Sequence, residues 1–131
     1  MMLPTQRVAW FVTVGCAAAA THFAVVVALV NWLQAAPLWA NIGGWLVAFG
    51  VSFSGHRGLT FRTANAPLRR SALRFFLVSA AGFAVNEAAY AALLQWAGWN
   101  YAVALAAVLL GVAVLTYWLS RHWAFLGSQG P

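Results

Sequence analysis

Acidic residues are almost absent from this chain: Glu87 is the only one among 131 residues, and lysine does not occur. Charged residues make up 6% of the sequence, whereas a soluble domain carries about 25%. Such a chain cannot cover a surface that faces water, which excludes an ordinary soluble domain. Hydrophobic residues make up 64% of the sequence, so lipid is the expected solvent of its surface. A membrane helix takes ~20 apolar residues, so four helices and their connections account for nearly the whole chain.

Cysteine is also scarce, and the single Cys16 excludes an intrachain disulfide and a cysteine-rich metal site. The sequence lacks a pair of carboxylates, a nucleophile with a base, a phosphate-binding glycine loop and a cluster of metal ligands. We therefore expect a protein that is not an enzyme and that uses no cofactor and no metal. The net charge of +6 comes from seven arginines that flank apolar segments, which favours membrane orientation over nucleic-acid binding.

Four long apolar segments predict an all-α membrane protein. They cover residues 8–33, 38–54, 75–96 and 101–120, and the second is the shortest and the richest in glycine. Lipid offers no partner to unpaired backbone groups, so a spanning segment must be a helix or part of a closed barrel. A run such as AVALAAVLLGVAVL lacks the alternation of a barrel strand. The sequence therefore predicts a polytopic protein with four transmembrane helices.

The arginines are distributed unevenly among the connections. The stretch between the second and third segments holds five of them: Arg57, Arg62, Arg69, Arg70 and Arg74. Arg7 precedes the first segment and Arg121 follows the fourth, while the two short connections contain no Lys or Arg. Four crossings place all seven on one side of the membrane, and positively charged residues stay cytoplasmic. We predict an N-in, C-in topology with two short external turns.

The two halves of the chain resemble each other. RVAWFVTVG at 7–15 parallels RFFLVSAAG at 74–82, and SFSGHRGLTF at 52–61 parallels TYWLSRHWAF at 116–125. Each half is a helical hairpin that starts and ends inside, so the repeat is parallel, with its axis along the membrane normal. We predict one domain over residues 1–131, with repeat one at about 7–61 and repeat two at about 74–125.

At these residues the chain resembles the GtrA-like family of small four-helix membrane proteins. The motif TYWLSRHWAF at the end of the fourth segment, which we call a closing motif like its counterpart at 52–61, supplies Tyr117, Arg121, Trp123 and Phe125. The start of the third helix supplies Arg74, Phe75, Gly82 and Asn86. The resemblance covers nearly the whole chain. The chain departs from the family in one respect, because Ser52 and Thr116 stand where members often have Asn, which reduces the hydrogen-bonding capacity there.

The resemblance implies a role in cell-surface polysaccharide or glycolipid synthesis at the bacterial cytoplasmic membrane. It implies a flippase-like translocation of a polyprenyl-phosphate-linked sugar. The alternative is a membrane scaffold that anchors or activates the glycosyltransferase that makes this lipid, with the basic middle loop as its docking surface. A second alternative is a small multidrug-type exporter that uses Glu87. Four helices enclose little space for a sugar, which favours a homodimer.

A lipid that carries a phosphodiester needs a cationic partner at the inner membrane face. Each closing motif places an arginine between two aromatic rings at i, i+4, i+8 spacing: Phe53, Arg57 and Phe61, then Tyr117, Arg121 and Phe125. Guanidinium matches phosphate oxygens with a bidentate fork, and we expect His56 and His122 to add donors and Trp123 to stack on sugar. The other interpretation is that these side chains only anchor the helix ends at the interface.

Glu87 lies well inside the third helix, where an ionisable group costs ~2.5–3.5 kcal/mol and usually faces the bundle interior. Asn86 adjoins it, and His22 occupies a comparable depth in the first helix, towards the outer leaflet. We expect these residues, with Ser52 and Thr116, to line a polar path between the helices. The other interpretation is a buried polar pair of Glu87 and His22 that fixes helix register.

Overall fold

The computed structural model describes residues 3–60 and 67–119, except for the side chains at positions 60, 68, 71 and 116–119. Four α-helices make up nearly all of this part: α1 Pro4–Leu33, α2 Pro37–Gly55, α3 Leu68–Gln95 and α4 Tyr101–Leu119. A π-helical turn, His56–Thr60, continues α2. The four predicted helices are confirmed, and the described residues contain no strand.

The third helix begins earlier than its apolar segment indicates. It starts at Leu68, directly after Pro67, whereas the sequence predicted a start near residue 75. The stretch LRRSALR contains residues with high helix propensity, so the helix extends into it although it is not apolar. Arg69, Arg70 and Arg74 therefore lie on the first turns of α3, and the prediction that they belong to a loop was wrong.

The turn between α1 and α2 is closed by a left-handed residue. Gln34 has φ 56°, and the next backbone N–H, that of Ala35, donates to the carbonyl of Leu29 at 3.0 Å. This hydrogen bond from the N–H of residue i+6 to the carbonyl of residue i satisfies a carbonyl at the end of α1, as in a Schellman cap. Pro37 then opens α2, where its missing N–H costs no hydrogen bond. The chain thus reverses within three residues, which makes α1 and α2 an antiparallel pair.

The turn between α3 and α4 repeats this geometry 64 residues later. Gly98 has φ 66°, and Trp99 N–H donates to the carbonyl of Leu93 at 3.2 Å. Asn100 caps α4, since its Oδ1 accepts the backbone N–H of Ala102 at 2.9 Å. The two hairpins therefore reverse by the same backbone device at equivalent positions.

Each helix packs against the next one along the chain, and α4 also contacts α1. The α1–α2 contact is the most extensive, and glycine makes it close. A Cβ atom at Gly44 would lie 2.7 Å from His22 Cδ2 and 2.8 Å from the His22 carbonyl oxygen. A Cβ atom at Gly55 would lie 2.7 Å from a methyl group of Val14. At these glycines the backbone of α2 therefore packs directly against side chains of α1, from Gly44 to Gly55.

The sequence predicts close helix approach at five glycines, and the structure supports this at two of them. Gly43 and Gly44 face α1 closely, since a Cβ at Gly43 would lie 2.9 Å from Leu29 Cδ1. In the described part of the chain nothing lies within 4 Å of a Cβ placed at Gly50, Gly82 or Gly111. The described residues therefore show no close approach at these last three.

Buried positions repeat at a spacing of 64 residues, which relates the two hairpins. The pairs are His22 and Asn86, Val26 and Tyr90, Ala40 and Ala104, Asn41 and Leu105, and Gly44 and Val108. In each pair both members are buried, so the two hairpins present equivalent faces to one core. This core lies in the half of the bundle nearest the two short turns. The Asn41 and Leu105 pair differs in polarity, so the core is not symmetric in chemistry.

The lengths of the helices suit a lipid bilayer. Pro4–Leu33 and Ala72–Gln95 are each long and apolar enough to cross a membrane, and Tyr101–Leu115 is a shorter apolar helix. The 19 residues of α2 extend roughly 28 Å, close to the ~30 Å of a hydrocarbon core. Trp32, Trp39 and Trp96 near the short turns are 81%, 73% and 85% exposed, as in an interfacial aromatic belt.

Cysteine labelling tests the predicted orientation. In a Cys16→Ala background, Ala36→Cys and Ala97→Cys place a thiol in the two short turns, whereas Arg69→Cys places one at the arginine-rich end. We expect a membrane-impermeant maleimide to label positions 36 and 97 in intact cells, and position 69 only in inverted vesicles, because positive residues stay cytoplasmic. Labelling of position 69 from outside the cell would contradict the N-in, C-in topology.

Candidate functional site

A hydrogen-bonded network lies between α1, α2 and α3 and has Asn41 at its centre. Asn41 Oδ1 lies 2.6 Å from His22 Nε2, while Asn41 Nδ2 donates to Asn86 Oδ1 at 2.8 Å and to Glu87 Oε1 at 3.1 Å. Asn41 is fully buried, and His22 and Asn86 are 6% and 5% exposed. The structure thus brings together three of the five residues predicted for a polar path, His22, Asn86 and Glu87, and it does so through Asn41. We call these four residues the polar network.

The hydrogen-bond pattern assigns the roles of the atoms in the polar network. Both Nδ2 hydrogens of Asn41 are used by acceptors, so its Oδ1 must face the imidazole, and His22 donates from Nε2. The rotated amide would set its oxygen against those of Asn86 and Glu87. Asn41 therefore links the imidazole of the first hairpin to the acid of the second.

The polar network lies near the short turns of the bundle. His22, Asn86 and Glu87 occupy the C-terminal halves of α1 and α3, and Asn41 occupies the first turns of α2. These helix halves meet at the end of the bundle that the arginine distribution predicts to be external. The network therefore lies in the half of the bundle nearest the short turns, and its predicted position towards the outer leaflet depends on the predicted topology.

Sequence reasoning missed Asn41, although a signal for it was present. It is a carboxamide within the apolar segment LWANIGGWLVAFG, and a polar side chain within a membrane helix usually bonds to a neighbouring helix. The same logic that selected Glu87 applies to it. What the sequence could not give is the partner, since the choice among His22, Asn86 and Glu87 depends on how the helices cross.

A column of aromatic rings continues from the polar network along α2 and α3. Trp45 stacks on Phe83 with centroids 4.7 Å apart, and its Nε1–H donates to Ser79 Oγ at 2.8 Å. Phe49 then contacts Phe76 with centroids 5.6 Å apart. The rings of this aromatic column are Trp45, Phe83, Phe76, Phe49, Phe75, Phe53, His56 and Phe11. It runs from the polar network to the arginine-rich end.

The column ends at His56, which is buried between two phenylalanines. Its ring stacks on Phe11 of α1 with centroids 4.9 Å apart, and it meets Phe75 of α3 edge-on at 5.8 Å. Burial lowers the pKa of His56, which lies beyond the end of α2, so its imidazole is neutral at pH 7. A neutral ring still donates one N–H, but it brings no charge to a phosphate.

Arg57 follows His56 in the turn that contacts both α1 and α2, at the end of the bundle where α1 begins. Its side chain is half-buried. The backbone here is a π-helical turn, His56–Thr60, whose hydrogen bonds run from i to i+5. The i, i+4, i+8 spacing of Phe53, Arg57 and Phe61 places side chains on one face only in an α-helix, and the α-helix ends at Gly55. Such π-helical turns are rare and occur often at functional sites.

The second closing motif lies largely beyond the described residues. This applies to Arg121, His122 and Trp123, as well as to Phe61, so their predicted roles stay predictions. Thr116 belongs to α4, but its side chain is outside the described part. Ser52 is half-buried near the inner end of α2, well away from the polar network.

A groove of about 260 Å³ lies on the C-terminal half of α1, towards the short turns. Its lining is Phe23, Ala24, Val27, Ala28, Asn31 and Trp32. Apart from the Asn31 side chain, this lining is apolar, so the groove suits a hydrocarbon chain better than a sugar. Asn31 is also engaged elsewhere, because its Oδ1 accepts the hydroxyl of Tyr101 at 2.7 Å and so ties α1 to α4.

The fold and the site define an all-α membrane protein of two helical hairpins with a buried polar network between them. The family model of the GtrA/DPMS transmembrane domain matches residues 10–125, and the chain belongs to this family. That family is associated with the translocation of lipid-linked sugars. Comparisons with curated proteins and with solved structures found no match.

Proposed function

We propose that this protein moves a polyprenyl-phosphate-linked sugar across the bacterial cytoplasmic membrane for cell-surface polysaccharide or glycolipid synthesis. The observation that supports this most is the polar network, because buried polar groups inside a membrane bundle are costly and usually functional. A sugar that crosses ~30 Å of hydrocarbon needs such groups along its way. Family membership supports the substrate class.

Within this proposal the residues divide the work by depth. Arg57 and Arg121 hold the phosphate at the inner face, with a neutral His56 as an additional donor and His122 and Trp123 beside the second arginine. His22, Asn86 and Glu87 belong to the polar route further out. Ser52 and Thr116 remain assigned to the inner part of that route. Two arginines would repel a cationic drug, which disfavours a multidrug exporter that uses Glu87.

Reconstitution tests the proposal directly. The purified full chain is placed in vesicles with a fluorescent prenyl-phosphate glucose in both leaflets, and a membrane-impermeant quencher reports how much lipid reaches the outside. We expect the fluorescence of lipid that starts in the inner leaflet to be quenched at a rate well above that of protein-free vesicles. Rates equal to those of protein-free vesicles would overturn the proposal.

A scaffold for a membrane glycosyltransferase is the second candidate, and the first turn of α3 favours it. Arg69, Arg70 and Arg74 are all exposed there and form a basic surface at the inner face. Rearranging the order of residues 69–74 while keeping their composition preserves the charge but changes the surface. Lipid movement in vesicles should survive this change under the translocation proposal. Loss of glycosyltransferase binding on this change, in a protein that moves no lipid above the rate of protein-free vesicles, would instead support the scaffold.

A further inference from the structure

We propose that the seam between α2 and α3 binds the glycosyl group of the transported lipid, with Asn41, Asn86 and Glu87 bonding its hydroxyls and Trp45 stacking on its apolar face. The seam comprises the contacts of α2 with α3 from Asn41 to Phe49. This inference rests on the proposed function, because it names the part of the lipid that the polar network recognises. It assigns the roles of Asn41 and Trp45, which the sequence did not suggest.

The chemistry of the seam matches that of a sugar. A hexose presents hydroxyl groups that both donate and accept hydrogen bonds, and it also presents a face of C–H groups. Carboxamides and carboxylates offer the matching donors and acceptors, and an indole offers a flat apolar surface with one N–H. Asn41 and Trp45 are one turn apart on α2, and Phe83 and Glu87 are one turn apart on α3. Both kinds of group are therefore adjacent in this seam.

The bonds across the seam can be exchanged for bonds to a ligand. Three hydrogen bonds join side chains of α2 to side chains of α3 here. They link Asn41 to Asn86, Asn41 to Glu87, and Trp45 to Ser79. A hydroxyl group both donates and accepts, so one that inserts between two partners can bond to each of them, which avoids the main penalty of breaking such bonds. Trp45 and Glu87 are half-buried, so neither is sealed in the core.

The neighbouring α1–α2 contact cannot serve in this way. There the backbone of α1 approaches α2 so closely that a Cβ atom at Gly44 would lie 2.8 Å from the His22 carbonyl oxygen. Packing of this kind acts as one rigid unit, whereas α2 and α3 meet through rings and side-chain hydrogen bonds. Of these two helix contacts of α2, the seam is therefore the one at which a bulky polar group can be accommodated.

The seam and Arg57 are two separate binding sites for the lipid, which we call stations. Asn41 and Arg57 are 16 residues apart, or roughly 24 Å along the helical direction. One hexosyl phosphate cannot touch both, so the phosphate meets Arg57 first and the sugar reaches the seam further along the aromatic column. A lipid without sugar uses only the first station. This difference separates the two sites experimentally.

The test compares lipids of equal chain length: a short-chain prenyl phosphate and a panel of its hexosyl esters that includes the glucosyl and mannosyl esters. Their binding to the full chain in nanodiscs is measured by calorimetry for the wild type, Asn41→Leu and Trp45→Phe. We expect the wild type to bind one hexosyl ester about tenfold more tightly than the bare phosphate. Asn41→Leu should lose most of that preference, and Trp45→Phe should lose part of it, because phenylalanine offers a smaller ring without an N–H. Trp39→Phe, an exposed tryptophan on the same helix, is the matched control and should keep it.

The variants are chosen so that folding does not confuse the result. Leucine occupies the equivalent buried position 105 in the second hairpin, and phenylalanine at 45 retains a ring against Phe83. A wild type that binds neither lipid contradicts the proposed function. A wild type that binds the phosphate but prefers no hexosyl ester overturns the seam proposal alone. Variants that keep the wild-type preference, or that weaken both lipids equally, also overturn it.

Discussion

Replacing Arg57 with alanine is expected to slow lipid movement in reconstituted vesicles by at least about 100-fold. A guanidinium that grips a phosphodiester makes two charge-assisted hydrogen bonds, each worth about 1.5–3 kcal/mol, and alanine removes both. Arg57→Lys keeps the charge but not the bidentate fork, so we expect an intermediate loss of about tenfold. Quencher accessibility of the labelled lipid, as in the reconstitution above, gives the rate. We predict the same order of loss for Arg121→Ala.

The matched control is Arg70→Ala, at the same end of the bundle. Arg70 is exposed on the first turns of α3, and its removal changes the net charge by the same amount. We expect its rate to stay within about twofold of the wild type, because an exposed surface charge contributes little. Equal losses in both variants would show that general surface charge matters and not the position of Arg57. A wild-type rate in Arg57→Ala would refute its role.

Replacing Gly44 with alanine is expected to lower the free energy of unfolding by about 1–3 kcal/mol, as overpacking of a close contact does. The added methyl would lie 2.7 Å from His22 Cδ2, 2.8 Å from the His22 carbonyl oxygen and 2.8 Å from Val26 Cγ2. The carbonyl belongs to the backbone of α1 and cannot rotate away, so the two helices must separate. His22 would then move relative to Asn41, and we expect slower lipid movement as well.

Gly50→Ala provides the comparison on the same helix. In the described part of the chain nothing lies within 4 Å of a Cβ atom at Gly50. Alanine has the better helix propensity by up to about 1 kcal/mol, so we expect this variant to be as stable as the wild type or slightly more so. Thermal loss of the helical circular dichroism signal in detergent measures both variants. A Gly44→Ala protein as stable as Gly50→Ala would contradict the close packing.

The helices themselves were largely predictable, because each is a long apolar segment bounded by breakers or charges. Pro37 and Gly98 lie at the turns, where their backbone preferences are strongest. The start of α3 was predicted too late, since residues 68–74 are helical by propensity and not by hydrophobicity. Apolarity locates the part of a helix that lies in lipid, but not its full length.

The polar network was half predictable. Polar groups are rare in a membrane segment, which is the signal for Glu87, Asn86 and His22 and equally for Asn41. The sequence does not give the partners of Asn41 and Trp45. Their importance depends on which face of α2 meets α3, and residues four apart share a face only after the helix orientation is known. Five glycines likewise look equivalent in sequence, but only the helix crossing shows that Gly44 contacts α1.

The sequence by itself determined the solvent, the number of helices and the distribution of charge, because these depend on composition and on order along one dimension. Only the tertiary structure decided that Asn41 joins His22 to Glu87, and that aromatic rings connect this network to the arginine-rich end. The physical reason is that hydrogen bonds and ring contacts act over a few ångströms, between residues that lie far apart in the chain. The relative rotation of packed helices sets those distances, and no local pattern encodes it.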